Sequence, residues 1–106
     1  MSFFSTLPSV SVKDAAQKVT DAGAVLVDVR MPDEYASGHA RGAINCPLPS
    51  ITSCAEKLAG YKTVYVICRS GGRSASGASQ LISRGINAIN VSGGTLAWEE
   101  EGLPID

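Results

Sequence analysis

The stretch "KTVYVICRSGGRSASGASQLISRG", residues Lys62 to Gly85, decides the fold. It opens with Val64, Tyr65, Val66 and Ile67, a β-branched and aromatic run without polar interruption. A strand with one wet face alternates polar and apolar residues, so an unbroken run predicts a strand covered on both faces. The run ends at Cys68, and a loop holding two arginines and two glycines follows. The segment from Ser74 to Gly85 then predicts a helix, with Ser74 as its N-cap and Gly85 just past its end. A strand passing through a tight loop into a helix is half of a βαβ unit.

Outward from this unit the same alternation continues. "AVLVDVR" (Ala24 to Arg30) predicts a second buried strand. "MPDEYASGH" predicts a short helix, with Pro32 in its first turn and Asp33 and Glu34 at its positive end. "GAINCP" predicts a short strand stopped by Pro47, and "PSITSCAEKLAG" a helix closed by Gly60. "SVSV" (Ser9 to Val12) predicts a first strand, "KDAAQKVTDAG" a helix capped by Gly23, "NAINVS" a last strand, and "GGTLAWEEEG" a final helix with Trp98 in the core. Strands separated by helices of this length imply a mainly parallel central sheet of about five strands, flanked by helices on both faces. The expected fold class is therefore α/β, with one domain over residues 1–106. In such sheets ligands sit at the carboxyl ends of the strands. That edge holds Cys68 and, at the end of a neighbouring strand, Asp28 and Arg30.

Composition agrees with a soluble globular domain, at 44% hydrophobic and 18% charged residues. A formal net charge of −1 argues for neither nucleic acid nor an acidic membrane as partner. No apolar run approaches the ~20 residues that span a bilayer. The N-terminus lacks the basic and apolar regions of a signal peptide, so a cytoplasmic location is expected. Three cysteines, an odd count, argue against a disulfide framework and for a reducing compartment. Between Glu56 and Glu99 there is no acidic residue, while Lys57, Lys62, Arg69, Arg73 and Arg84 all fall in that interval. The local field around Cys68 is expected to be positive and to draw small anions.

The Cys68 loop explains its own composition. Gly71 and Gly72 allow positive φ and a close approach of backbone to ligand. A short loop of this kind can turn several N–H groups inward as a nest for negative charge. The helix N-terminus adds further N–H groups, and Arg69 and Arg73 add full charges. An isolated thiol has a pKa near ~8.5, and such surroundings bring it to roughly 3.5–7.5. Cys68 is therefore the candidate nucleophile. The Lys-Ser/Thr pair of a P-loop is missing, as is a G-x-S-x-G elbow. Cys46, Cys54, Cys68 and His39 lack zinc-ligand spacing, so no metal is expected.

With these residues in view, the chain resembles the single-domain rhodanese-like sulfurtransferases. The resemblance rests on "VLVDVRMPDEYASGHARGAINCPL", then "VYVICRSGGRSASGASQL", then "VSGGTLAWEEEGLPID", three spaced motifs in one order. It implies a thiosulfate sulfurtransferase of rhodanese type. Cys68 would accept sulfur from a small anionic donor as a persulfide and pass it to cyanide or a thiol. The backbone of Arg69, Ser70, Gly71, Gly72, Arg73 and Ser74 would bind the transferred sulfur. Arg69 would meet the donor, and Arg73 would brace the loop and add charge. Asp28 and Arg30, the family's D-V-R, would support the loop. No metal or organic cofactor is implied, and a protein could serve as sulfur donor or acceptor.

Two other readings use the same loop. A persulfide carrier would serve one protein partner. A cysteine-dependent phosphatase or arsenate reductase would need one more residue between Cys and Arg than the four that separate Cys68 from Arg73. The remaining candidates have structural readings. His39 is expected to hydrogen-bond rather than act as a base, and Cys46 and Cys54 are expected to fill apolar space rather than pair. Tyr65 is expected in the core, and a local ion pair is plausible between Arg30 and Glu34, four residues apart.

Overall fold

The computed structural model describes residues 7–106; residues 1–6, which were read for a leader, lie outside them. Five strands form one sheet: β1 (Ser9–Val10), β2 (Ala24–Asp28), β3 (Ile44–Asn45), β4 (Thr63–Ile67) and β5 (Ala88–Val91). Their order is β1-β5-β4-β2-β3, and every pairing is parallel. The predicted α/β sheet is therefore observed, with the strand that precedes Cys68 at its centre. Register places Val66 beside Val27 on one side and Asn90 on the other.

Five helices cover the sheet: α1 (Val12–Lys18), α2 (Pro32–Ala36), α3 (Ile51–Leu58), α4 (Gly72–Ile82) and α5 (Gly94–Glu100). Side chains alternate across each strand, and the unbroken apolar runs feed two separate cores. Val25, Val27, Val64, Val66 and Ala88 face one way and pack with Ile51, Leu58 and Leu81 of α3 and α4. Leu26, Tyr65 and Val91 face the other way and pack with Val12, Ala15 and Trp98 of α1 and α5. Both faces being dry explains why the strands read as continuous hydrophobic stretches.

The C-terminal tail closes this second core. The Trp98 indole N–H donates to the Pro104 carbonyl at 2.8 Å. Asp106 and His39 exchange backbone hydrogen bonds, and Ala40 bridges antiparallel to Ile105. His39 also bonds the Tyr35 carbonyl through Nδ1 at 2.8 Å and stacks on the Tyr35 ring. This is the structural role expected of it.

Three sequence expectations need correction. The first strand is only two residues long, because Ser11 is used as a cap: its Oγ accepts from the Asp14 N–H at 3.1 Å, and α1 starts at Val12. The second concerns α4. Gly71, not Ser74, stands at its N-cap with φ 115°, and Ser74 lies buried within the first turn. A left-handed residue closes the loop earlier than a serine cap would, and glycine alone adopts that angle without strain. The third is covalent. Cys46 and Cys54 form a disulfide with Cα atoms 6.7 Å apart. The chain leaves β3 at Pro47, makes a 3-10 turn over Leu48–Ser50, and enters α3, which folds Cys54 back over Cys46. Cys68 is the free thiol.

Candidate active site

Cys68 stands directly after β4, at the carboxyl end of the sheet, and is 1% exposed. Its Sγ accepts the Gly71 N–H at 3.0 Å and lies 3.2 Å from the Ser74 Oγ. Burial pushes the Cys68 thiol up. The Ser74 hydroxyl and the N–H groups of Ser74, Gly71 and Ser70 outweigh it, and the net shift is downward. The loop's amides are thus turned inward onto sulfur, as a nest requires. Arg69 and Ser70 form an exposed rim above it.

The inward turn has a cause on the opposite side of the loop. The Thr95 N–H and Oγ1 donate to the Cys68 carbonyl at 2.8 and 3.0 Å, and the Leu96 N–H donates to the Arg69 carbonyl at 3.1 Å. These are first-turn N–H groups of α5, which need acceptors outside their own helix. A peptide's C=O and N–H point in opposite directions. With the Arg69 carbonyl drawn toward α5, the N–H of the same peptide, that of Ser70, faces Sγ. Gly94 makes the approach possible: a Cβ there would sit 2.6 Å from the Cys68 carbonyl oxygen, and its φ is +61°. The function of the Gly93-Gly94-Thr95 stretch was not legible, because it acts on a loop more than twenty residues away in sequence.

Arg73 lies in the first turn of α4, and its guanidinium forms a two-pronged pair with Glu34 of α2, at 2.7 and 2.9 Å. The Arg73 bonds hold the Glu34 carboxyl down at about 2 against opposing desolvation, aided by the Met31 N–H. Glu34 therefore pairs with Arg73, not with its near neighbour Arg30. Arg30 instead clamps Asp28: Nε and Nη2 donate to the carboxylate at 2.8–3.0 Å, and Nη2 also donates to the Gly38 carbonyl at 2.7 Å. Both residues are buried, Asp28 completely. Asn45 Nδ2 donates to the Asp28 and Arg30 carbonyls at 2.9 and 3.0 Å. Asp28 and Arg30 thus shape the turn that launches α2, the helix that carries Glu34 to Arg73. Among the described residues Arg69 makes no ion pair, whereas Arg73 does.

Sequence reasoning placed Cys68, Arg69, Ser70, Gly71, Gly72, Arg73 and Ser74 at one locus, and the structure brings them together there. It missed Glu34 as the partner of Arg73, the α5 glycines, and Asn90, whose Oδ1 accepts from the Ser74 hydroxyl at 2.6 Å. No local pattern marks these; each comes from a different strand or helix. Among the described residues no group of His, Cys, Asp and Glu could hold a metal, and no helix is long and apolar enough to cross a membrane.

Comparison with known proteins points the same way as this geometry. The family model for the rhodanese-like domain matches residues 11–101. A protein of Synechocystis is 34% identical over 91% of this chain, which spans 54% of that longer protein. A sulfurtransferase of Allochromatium vinosum is 33% identical, covering 91% of this chain and 92% of its own. The chloroplastic thiosulfate sulfurtransferase 16 of Arabidopsis thaliana is 31% identical, covering 94% of each chain. The crystal structure of a rhodanese-related protein from Thermoplasma volcanium superimposes with a TM-score of 0.84 at 31% identity, covering 93% of this chain and 97% of that one. A parallel sheet with the loop of a free cysteine at its centre, matched by a family model over most of its length, places this chain in the rhodanese-like domain family, among whose members are named sulfurtransferases.

Proposed function

We propose that this domain transfers a sulfane sulfur from thiosulfate or a similar small anionic donor to a thiophilic acceptor, through a persulfide on Cys68. The observation that carries this reading is the Cys68 sulfur accepting the Gly71 N–H at 3.0 Å, on the floor of a loop from which the Ser70 and Ser74 amides also face it. Two relatives are named as sulfurtransferases, one of them for thiosulfate.

In the first step the Cys68 thiolate attacks the outer sulfur of thiosulfate. A Cys68–sulfur bond forms, the sulfur–sulfur bond of the donor breaks, and sulfite leaves with the electron pair. The product is Cys68–S–S⁻, whose outer charge the loop amides stabilise. These groups are oriented before reaction, so they gain strength as charge develops without reorganising. In the second step cyanide or a thiolate attacks the outer sulfur, and Cys68 leaves again as thiolate. Arg69, on the exposed rim, attracts the donor anion. Arg73 is held by Glu34, so it braces the loop and contributes its field. A loop with only four residues between Cys68 and Arg73 suits one sulfur atom better than a tetrahedral phosphate. The chain would do this as a soluble cytoplasmic domain, although the Cys46–Cys54 bond weighs against a strongly reducing setting.

Incubation with thiosulfate followed by peptide mass mapping tests the proposal. The expected result is the mass of one added sulfur on Cys68, lost on addition of cyanide as thiocyanate forms. Cys68→Ser should take up no sulfur and show only background thiocyanate formation. Full activity in Cys68→Ser, or hydrolysis of a phosphate ester by the wild type, overturns the reading. Slow loading by thiosulfate beside fast loading by a protein persulfide would instead identify a carrier for a protein partner.

A further inference from the structure

Asn90 has no part in the reaction as derived, yet a single residue, Ser74, separates it from the Cys68 sulfur. It lies on β5 beside Val66 of β4 and is 7% exposed. Its Oδ1 is 2.6 Å from the Ser74 Oγ. That oxygen is in turn 3.2 Å from the Cys68 Sγ and 3.1 Å from the Gly71 carbonyl. The Ser74 hydroxyl has a single proton and three neighbours that compete for it.

The two ionisation states of Cys68 make opposite demands on that proton. As a thiol, Cys68 donates to Ser74, and Ser74 donates onward to the Asn90 carbonyl oxygen. As a thiolate, or as a persulfide whose inner sulfur only accepts, Cys68 needs the Ser74 proton turned toward it. Ser74 then offers Asn90 only lone pairs. An acceptor facing an acceptor at 2.6 Å is repulsive, so the amide must present Nδ2 instead. Asparagine carries an acceptor at one end of its amide and donors at the other, so a half-turn of that group meets either demand. Aspartate, of the same shape, offers only acceptors when ionised.

We propose that Asn90 is a positioning residue for Cys68: its amide sets the direction of the Ser74 hydroxyl and so lets that hydroxyl donate to the ionised sulfur. The proposal rests on Cys68 being the sulfur-carrying nucleophile, but it concerns ionisation and is testable without turnover. The charged groups around Cys68 are Arg69 on the loop, Arg73 on α4 with Glu34 of α2, and the Asp28–Arg30 pair at the end of β2; on the β5 and α5 side the contacts are the neutral Asn90 and Thr95. None of these charges is altered by a substitution at Asn90, except the one that Asp itself would add.

The test follows the pH dependence of Cys68 alkylation by iodoacetamide under non-reducing conditions, where Cys68 is the free thiol. Asn90→Asp is expected to move the midpoint upward by about one pH unit, a tenfold loss of thiolate below the midpoint. Ser74→Ala should move it in the same direction. In a Ser74→Ala background, Asn90→Asp should add little, because the hydroxyl through which Asn90 acts is gone. An equal shift with and without Ser74 would mean a direct charge effect and overturns the proposal, as does an unshifted midpoint. The wild type supplies a readout that needs no variant to fold: the Asn90 side-chain amide resonances should titrate with the alkylation midpoint. A flat Asn90 signal across that midpoint also overturns the proposal. Failure of the sulfur-transfer reading would appear separately, as an unmodified Cys68 after thiosulfate treatment.

Discussion

At the scale of single residues, the site separates its two arginines by what they are bonded to. Arg69 stands on the exposed rim, while Arg73 is tied to Glu34 by both guanidinium prongs. The pair joins α2 to α4 across the mouth of the loop. Glu34 has a folded-state pKa of about 2, below its ordinary 4.5. A carboxylate with a depressed pKa stabilises the fold above its unfolded value, and that contribution is lost as pH falls through the folded one. The pair's side chains are 37% and 31% exposed, so solvent screening limits it to about 1 kcal/mol. Glu34→Gln should therefore unfold about 1 kcal/mol more easily in urea at pH 7. The gap should close as pH drops from about 4.5 toward about 2, where protonated Glu34 is as neutral as Gln. A gap that stayed constant with pH would show that packing, not charge, joins the two helices. The residue types at this site were legible from the sequence. Their partners were not, because Glu34 was equally well placed for Arg30 by helical spacing.

At the scale of elements, α4 and α5 hold the loop from its two ends, α5 with Gly94 against the loop backbone and α4 with Gly77 toward the sheet. The two glycines that matter do opposite things. A methyl at Gly94 would meet the backbone of Cys68 and Arg69 and would demand a φ of +61° from an L-residue. Gly94→Ala should cost about 2 kcal/mol or more, since backbone cannot give way as a side chain can. It should also abolish persulfide formation, because α5 could no longer draw the loop carbonyls away from sulfur. Gly77 sits inside α4, and a methyl there would meet Leu48, Val29 and Val66 methyl groups at 3.5 Å, an ordinary contact. Gly77→Ala should therefore raise stability by about 0.5–1 kcal/mol, the gain of alanine over glycine within a helix. Thermal melts of the two variants check both signs. The structure shows room for one more carbon at Gly77, a quantity that depends on where three other elements put their side chains.

At the scale of the whole molecule, the parallel sheet places β4 at its centre and so buries on both faces the strand that leads into Cys68. The Cys46–Cys54 bond fastens the sheet's far edge to α3 across eight residues of sequence. Closing a loop of that length restricts the unfolded chain by about 2–3 kcal/mol in the chain-entropy account. The double variant Cys46→Ser, Cys54→Ser should lose about that much in denaturant unfolding and still load sulfur on Cys68. Lost loading in a folded double variant would give these cysteines a chemical role. By itself, the sequence determined the α/β class, the order of its elements, and the position of Cys68 and its loop at the carboxyl end of the sheet. Those follow from local rules: hydrophobic runs, glycine and proline punctuation, and a short motif contiguous in the chain. Only the tertiary structure decided that Glu34 holds Arg73, that α5 holds the Cys68 and Arg69 carbonyls, that Asn90 backs Ser74, and that two cysteines meet. Each of these joins residues from different elements, and their distance is set by how helices settle on the sheet, which no local pattern encodes.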